Sequence, residues 1–281
     1  MLGALQAQEY TSRTFKDRRV INTNSVETLA KKKLDIRITH RFGDIAGAAG
    51  GFQTFFGFEN AADVLIGAEY GATDNFDIGI YRSKGAGSTA DGKTGLRQLV
   101  NASAKYKLLR QRNDGGMPVS LALYGLLSTS TAKKTNNQSS ISSFPDFTDR
   151  MAMTFQVIIA RKFSDALSIQ LTPSYTHRNL VTHDDENGVL SIGAAGRLQL
   201  TKVIGILADV TLPVSGQRTS PKGYHPSVGI GFDIDTGGHV FQINLTNSKG
   251  IVETDYIPYT TSDWSAGQFR IGFTISRLFN L

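Results

Sequence analysis

The chain has 281 residues, no cysteine, 29 glycines, 40% hydrophobic residues and a formal net charge of +6. The lack of cysteine excludes disulfide bonds and thiolate metal sites. No run of about 18 apolar residues occurs, which excludes a membrane-spanning helix. The basic residues are spread through the chain rather than gathered in one stripe, so we expect no nucleic-acid partner.

The N-terminal residues, Met1–Ala7, resemble the end of a secretory signal peptide. Ala7 is a small residue of the kind found at the cleavage position, although the charged and most of the apolar part of such a peptide are missing. We therefore expect residues 1–7 to be a signal-peptide remnant, and the true start of the precursor stays open. Residues 8–33 would form a separate periplasmic or plug segment.

Apolar and polar residues alternate in about twelve segments from Leu34 onward, and a period of two predicts β-strands. The predicted strands are 34–42, 63–71, 75–83, 97–109, 118–130, 149–163, 166–178, 188–200, 203–213, 225–236, 239–248 and 268–279.

The connections between these segments alternate between long polar loops and short turns rich in Gly, Asn and Asp. This sorting, together with an even number of strands, is typical of an outer-membrane β-barrel. The segments also exceed the usual strand length of a soluble sandwich. We predict an all-β protein, a transmembrane antiparallel up-and-down barrel of about 12 strands over residues 34–281. It would lie in the outer membrane, among its lipids, with both termini periplasmic.

Two stretches resemble a known family. One is Phe15-Lys-Asp-Arg-Arg-Val-Ile-Asn-Thr-Asn-Ser-Val-Glu27, which leads into Leu34-Asp-Ile-Arg-Ile-Thr-His-Arg-Phe-Gly-Asp-Ile45. The other is Phe56-Gly-Phe-Glu-Asn-Ala-Ala-Asp63, which leads into Ile66-Gly-Ala-Glu-Tyr-Gly-Ala-Thr-Asp74. Together they resemble an uncharacterised outer-membrane β-barrel family of Bacteroidota, named only as a domain of unknown function. The resemblance implies an outer-membrane location and brings no substrate, catalytic residue or cofactor.

One face of the predicted strands is apolar, and the other carries charges of both signs. Charges that face the lumen can create the transverse field of a diffusion channel. They can equally cross-link a narrow barrel shut, so an open pore and a blocked barrel stay alternatives. The candidate lumen-lining residues are Asp35, Arg37, Glu69, Asp77, Lys105, Lys107, Lys162, Arg197, Asp209, Asp233, Asp235 and Arg270.

The first long loop has a glycine-rich stretch at 43–51, and four phenylalanines follow it. Phe52, Phe55 and Phe56 have helical spacing and would share one helix face. With Phe58 they are candidates for a constriction or a hydrophobic ligand site in the lumen. The outer leaflet and the other loops are the alternative places in which these rings could be buried.

The N-terminal segment mixes charged residues, namely Arg18, Arg19 and Glu27, with apolar ones, which is too amphipathic for a free tail. We expect it to fold against the periplasmic mouth or into the lumen as a plug. There Arg18 or Arg19 would meet inward acids such as Asp35. A linker, or a docking arm for an unknown periplasmic partner, is the alternative.

The sequence contains no phosphate loop and no nucleophile elbow. His40 and His177 lie on the first and seventh predicted strands, on opposite sides of the barrel, and cannot cooperate. We therefore predict a protein that is not an enzyme and has no catalytic residue, no cofactor and no metal. The predicted function is a narrow channel for small polar solutes. The alternative is a closed structural or interaction barrel that docks a periplasmic or surface partner.

Overall fold

A computed structural model describes residues 10–138 and 140–281, and the predicted signal-peptide remnant at 1–7 lies outside this range. The strands are β1 (Lys33–Phe42), β2 (Ala61–Thr73), β3 (Phe76–Ser83), β4 (Leu99–Leu109), β5 (Ser120–Ser130), β6 (Met151–Lys162), β7 (Leu167–Arg178), β8 (Gly188–Gln199), β9 (Ile204–Val214), β10 (Ser227–Asp235), β11 (His239–Thr246) and β12 (Arg270–Asn280). Each strand lies within two residues of its predicted bounds at both ends.

The twelve strands form one closed antiparallel barrel in which each strand pairs with its neighbours in sequence. The last strand, β12, pairs with β1, and at this seam Ile38 lies opposite Ile275 and His40 opposite Phe273. Closure satisfies the backbone groups of every strand, which a structure inside hydrocarbon requires. The predicted fold, an up-and-down β-barrel of about 12 strands, is confirmed.

The barrel wall is apolar outside and polar inside. On β1, Ile36 and Ile38 are exposed, whereas the side chains of Asp35 and Arg37, between and beside them, are almost fully buried. Exposed isoleucines next to buried charges reverse the usual pattern of a soluble protein and fit a wall that faces lipid. Within residues 10–138 and 140–281, no helix has the length and apolarity needed to cross a membrane.

Short turns gather at one end of the barrel, called here the short-turn end, and long connections gather at the long-loop end. Gly115 and Gly237 occupy short turns with φ of 81° and 87°, a conformation that favours glycine. The long loops contain 3₁₀ turns at Phe52–Gly57, Ile141–Ser143, Phe147–Arg150 and Ser220–Lys222. The last long loop contains the one α-helix of the described residues, α1 (Glu253–Tyr259).

The expectation that Phe52, Phe55, Phe56 and Phe58 line the lumen is not met. Phe55 and Phe56 have φ of 46° and 54°, so they break the helix that would have aligned the rings. All four side chains are exposed, Phe52 most of all at 83%. The ring of Phe58 packs at 5.0 Å against that of Phe42, which follows the outward-facing positions of β1. The constriction or ligand site expected from these rings is therefore corrected to an aromatic cluster outside the barrel.

Candidate functional site

Residues 14–29 fold into the barrel as a hairpin, called here the lumenal hairpin. The Ser25 amide donates to the Arg18 carbonyl at 2.8 Å, and the Val20 amide donates to the Thr23 carbonyl at 2.9 Å. These bonds place residues 20–23 at the tip. The chain before the hairpin contacts the short-turn end, where the Thr11 amide donates to the Gln111 carbonyl at 2.9 Å. Every residue from 17 to 27 is buried.

Ion pairs hold the lumenal hairpin to the barrel wall. The Arg18 guanidinium contacts the carboxylates of Asp35 on β1 and Glu69 on β2. A second ion pair has its cation on the wall and its anion on the hairpin: Arg37 on β1 donates to the Asp17 carboxylate, with Nη1 at 2.9 Å from Oδ2. A charge removed from water is costly unless it is paired. The hairpin therefore supplies the countercharges that these inward wall residues need.

Lysines of β4 hold the second arm of the hairpin. Lys107 Nζ lies 3.2 Å from Glu27 Oε2, and Lys105 Nζ donates to the carbonyls of Ser25 at 3.1 Å and Glu27 at 3.2 Å. Burial by itself would raise the pKa of Glu27, but the charge and hydrogen bond of Lys107, together with the Thr14 and Phe15 amides, outweigh burial and hold that pKa below its ordinary value. The hairpin carboxylate is thus kept ionised by its partner on the wall.

The hairpin tip is bound by a carboxylate of β9. The Asn22 and Thr23 amides donate to Asp209 Oδ2 at 2.6 and 2.9 Å, and Asn22 Nδ2 donates to Oδ1 at 2.8 Å. From β1, Arg41 Nη2 donates to Asn22 Oδ1 at 2.5 Å. The tip is therefore held by two strands, β1 and β9, that are not neighbours in the barrel.

Helix α1 fills the lumen from the long-loop end. All of its residues are buried, and it packs against β5 to β9. Ser128 Oγ on β5 lies 2.8 Å from Thr254 Oγ1. The Ala86 amide donates to the Asp255 carboxylate at 3.0 Å. Burial, together with the charge of Asp63, raises the pKa of Asp255 to about 7.

The lumenal hairpin and the last long loop meet inside the barrel. Arg19 Nη2 lies 2.8 Å from Glu253 Oε1, and Arg19 Nη1 donates to the Ile251 carbonyl at 3.0 Å. Asn24 Nδ2 donates to the same Glu253 oxygen at 2.8 Å. Val20 joins Ile251 in one buried apolar cluster. In this conformation the centre of the barrel is occupied from both ends.

All of the predicted lumen-lining residues lie on the inward side of the wall or at its short-turn rim. Those that contact the N-terminal segment are Asp35, Arg37, Glu69, Asp77, Lys105, Lys107, Lys162, Asp209 and Asp235. Two others pair with each other on the wall, since Arg197 Nη2 lies 2.8 Å from Asp233 Oδ1. Arg270 lies near the long-loop end and donates to the Asn247 carbonyl.

Some charged residues of the lumen were not predicted, among them Arg41, Asp63, Glu253 and Asp255, and also Arg178 of β7, whose guanidinium lies over the Tyr259 ring of α1. Arg41 and Asp63 continue the inward alternation of β1 and β2, so the pattern that selected Asp35 and Glu69 could have found them. Glu253 and Asp255 lie in a segment predicted only as a long loop. The apolar residues around them, from Ile251 to Tyr259, are unusual for an exposed loop and were the available signal.

These features define a membrane-spanning β-barrel with a polar lumen that is filled by its own chain. The chain belongs to the family described as the membrane-bound beta barrel domain (DUF5777), whose model matches residues 15–279. The matched range includes the lumenal hairpin as well as the barrel. No curated protein matches the chain in sequence.

Solved structures of similar fold include two channels. The KdgM porin aligns with a TM-score of 0.51 at 8% identity, over 88% of this chain and 99% of the porin. An outer-membrane channel from Pseudomonas putida F1 aligns with a TM-score of 0.51 at 10% identity, over 92% of this chain and 100% of that channel. At these identities the likeness concerns the fold alone.

Proposed function

We propose that the protein is an outer-membrane channel for small polar solutes and that the described conformation is its closed state. One observation carries this proposal: the hairpin is held to the wall by ion pairs and hydrogen bonds of inward side chains. Such a wall accepts water and hydrated solutes once the hairpin leaves, whereas a lumen filled by an apolar core would not. The shared fold of the two solved channels supports the same class.

The proposal includes an orientation. Barrels of the bacterial outer membrane have short periplasmic turns and longer extracellular loops. The short-turn end, with both termini, would therefore face the periplasm, and the hairpin would be inserted from that side. A Bacteroidota origin also belongs to this proposal, since it rests on the resemblance of the N-terminal stretches.

The second candidate is a closed structural barrel that docks a periplasmic partner. The contact between Arg19 and Glu253 favours it, because this contact ties the hairpin to the loop at the centre of the lumen. A partner could then bind the chain that precedes the hairpin, where Tyr10 is exposed. In this case the ion pairs of the hairpin serve stability and not gating.

Planar-bilayer recordings separate the two candidates. We expect the protein without residues 8–29 to conduct steadily, and the intact protein to conduct much less. The matched control lacks residues 136–138, an exposed stretch of another long loop, and should behave as the intact protein does. Heat-modifiable gel migration verifies that each variant is folded. A folded but silent hairpin deletion would contradict the channel and favour the structural barrel.

A further inference from the structure

A second site lies outside the filled lumen, at the long-loop end. A partly open cavity of about 350 Å³ separates the first and last long loops, which neighbour each other because β12 pairs with β1 and β1 with β2. This volume lies in the range of pockets that hold small ligands. The polar residues around it are Asp44, Asn60, Lys249, Ser262, Gln268 and Arg270.

Arg270 is fixed at the wall of this cavity with one donor unused. Its side chain is only 2% exposed. Nη1 donates to the Asn247 carbonyl and Nη2 donates to Ser262 Oγ at 3.2 Å. Nε is buried and has no hydrogen-bond partner among the described residues. Buried donors are usually paired in folded proteins, so the Arg270 guanidinium keeps a donor that the protein itself does not satisfy.

Lys249 is the second cation of the cavity. Within residues 10–138 and 140–281 its ammonium group forms neither a hydrogen bond nor an ion pair. Burial and the nearby charge of Arg270 lower the pKa of Lys249, and Asp44 opposes them only in part. The Asp44 carboxylate accepts instead from the Gly47 amide at 3.2 Å. The cavity thus holds two cations and one carboxylate, an excess of one positive charge that a bound monoanion would neutralise.

We propose that this cavity binds the anionic group of a small solute, a carboxylate or a phosphate, between Lys249 and Arg270 before the solute enters the barrel. The proposal rests on the proposed channel function and names the class of solute. The Ser262 hydroxyl and the Asn60 amide lie at the same cavity and can bind hydroxyl groups of the solute. A phosphate of an outer-leaflet lipid has the same chemistry, and the experiment distinguishes this source from the free solute.

The test compares two sugars of equal size, glucuronate and glucose, titrated by saturation-transfer NMR against the intact protein in a zwitterionic detergent. We expect glucuronate to bind and glucose not to bind. Lys249→Gln should weaken glucuronate binding by about tenfold, the effect of losing one hydrogen bond to a charged group. The control Lys134→Gln removes an exposed lysine from another long loop and should leave binding unchanged. Heat-modifiable migration reports the folding of both variants.

Equal binding of both sugars, or no binding of glucuronate to the folded protein, would overturn the assignment. Equal losses in Lys249→Gln and Lys134→Gln would do the same, because they would indicate a general charge effect. Protection of the protein against heat by lipopolysaccharide but not by glucuronate would show that the cation pair serves a lipid phosphate. Binding of glucuronate does not require ion conduction. A folded hairpin-deletion variant that does not conduct would therefore contradict the channel function but would leave the proposed anion site to be decided by the glucuronate titration.

Discussion

The guanidinium of Arg19 lies 2.8 Å from the carboxylate of Glu253, and this ion pair joins two segments that enter the barrel from opposite ends. Both side chains are buried. Each segment therefore presents a buried charge whose ion-pair partner lies on the other segment. Withdrawal of the hairpin would leave Glu253 unpaired, and movement of the last long loop would leave Arg19 unpaired. This ion pair is the charged contact among several that couple the two ends of the barrel.

Glu253→Gln should destabilise both segments. The substitution leaves the Arg19 guanidinium buried without its countercharge, and the loss of one partner of a buried ion pair costs about 3–5 kcal/mol. We expect a lower temperature of heat-modifiable unfolding and, in planar bilayers, more frequent openings than in the intact protein. Glu59→Gln changes an exposed glutamate of the first long loop and serves as the control. Identical stability and conductance in the two variants would mean that the pair contributes nothing.

A disulfide between positions 128 and 254 should lock α1 to the wall. The chain has no native cysteine, and the Ser128 and Thr254 hydroxyl oxygens lie within hydrogen-bond distance, 2.8 Å apart. Two cysteine sulfurs at these positions would have to approach by less than about 1 Å to reach the bonded separation of about 2.05 Å. In the variant that lacks residues 8–29, Ser128→Cys with Thr254→Cys should conduct less when oxidised than when reduced. If the current is the same in both redox states, α1 does not limit flow.

The control for this experiment is a cross-link within the wall. Thr154 on β6 and Thr176 on β7 face each other with their hydroxyl oxygens 2.9 Å apart. Thr154→Cys with Thr176→Cys should form a disulfide of similar geometry that leaves α1 free. Oxidation should then have no effect on the current.

The docking of α1 should weaken as the pH rises. Burial and the charge of Asp63 raise the pKa of Asp255 from 3.8 to about 7. The folded state therefore holds this proton more tightly than the unfolded state, and protonation stabilises the docked helix. This stabilisation is complete below about pH 4 and is lost as the pH rises through about 7. Hydrogen exchange of residues 251–260, corrected for its intrinsic pH dependence, should be faster at pH 8 than at pH 5.

Asp255→Asn tests the origin of this pH dependence. The amide oxygen can still accept from the Ala86 amide, but the side chain no longer titrates. We expect exchange in this variant to be nearly equal at the two pH values. Asp184→Asn, which changes an exposed carboxylate of another long loop, should keep the pH dependence of the intact protein. A pH dependence that persists in Asp255→Asn would assign it to another group.

Epitope tags test the proposed orientation. A tag inserted between Asn136 and Asn137, in a long loop, should be reachable by antibody on intact cells. A tag inserted between Asp114 and Gly115, in a short turn, should be reachable only after the outer membrane is permeabilised. Both insertion points are exposed, so neither tag should disturb the barrel. The reverse pattern of labelling would invert the orientation.

The strands were predictable from sequence because each strand meets two solvents. Ile36 and Ile38 face lipid, whereas Asp35 and Arg37 face a polar lumen. This contrast produces the alternation of apolar and polar residues in the sequence. The amphipathic character of residues 15–29 likewise indicated that this segment is buried. In these cases the local sequence reports the environment of each side chain.

The contacts between distant segments could not be predicted in the same way. The contact between Arg19 and Glu253 depends on how the lumenal hairpin and the last long loop pack inside a closed barrel. No periodic pattern in the sequence predicts such a contact. The prediction for the four phenylalanines of the first long loop was wrong for a local reason. Helical spacing does not reveal that Phe55 and Phe56 adopt positive φ. The cavity at Lys249 and Arg270 exists because the seam brings the two ends of the barrel sequence together.

The seam between β1 and β12 also has a consequence for assembly. The lumenal hairpin directly precedes β1, and the loop that carries α1 directly precedes β12. Until these two strands pair, an open sheet would expose both segments, with the charges of Arg19 and Glu253 in water. We expect pairing of the seam to draw both segments inward and to remove the water between them. Completion of the barrel wall and filling of its lumen would then be one event, and under the proposed function a newly folded barrel would be closed.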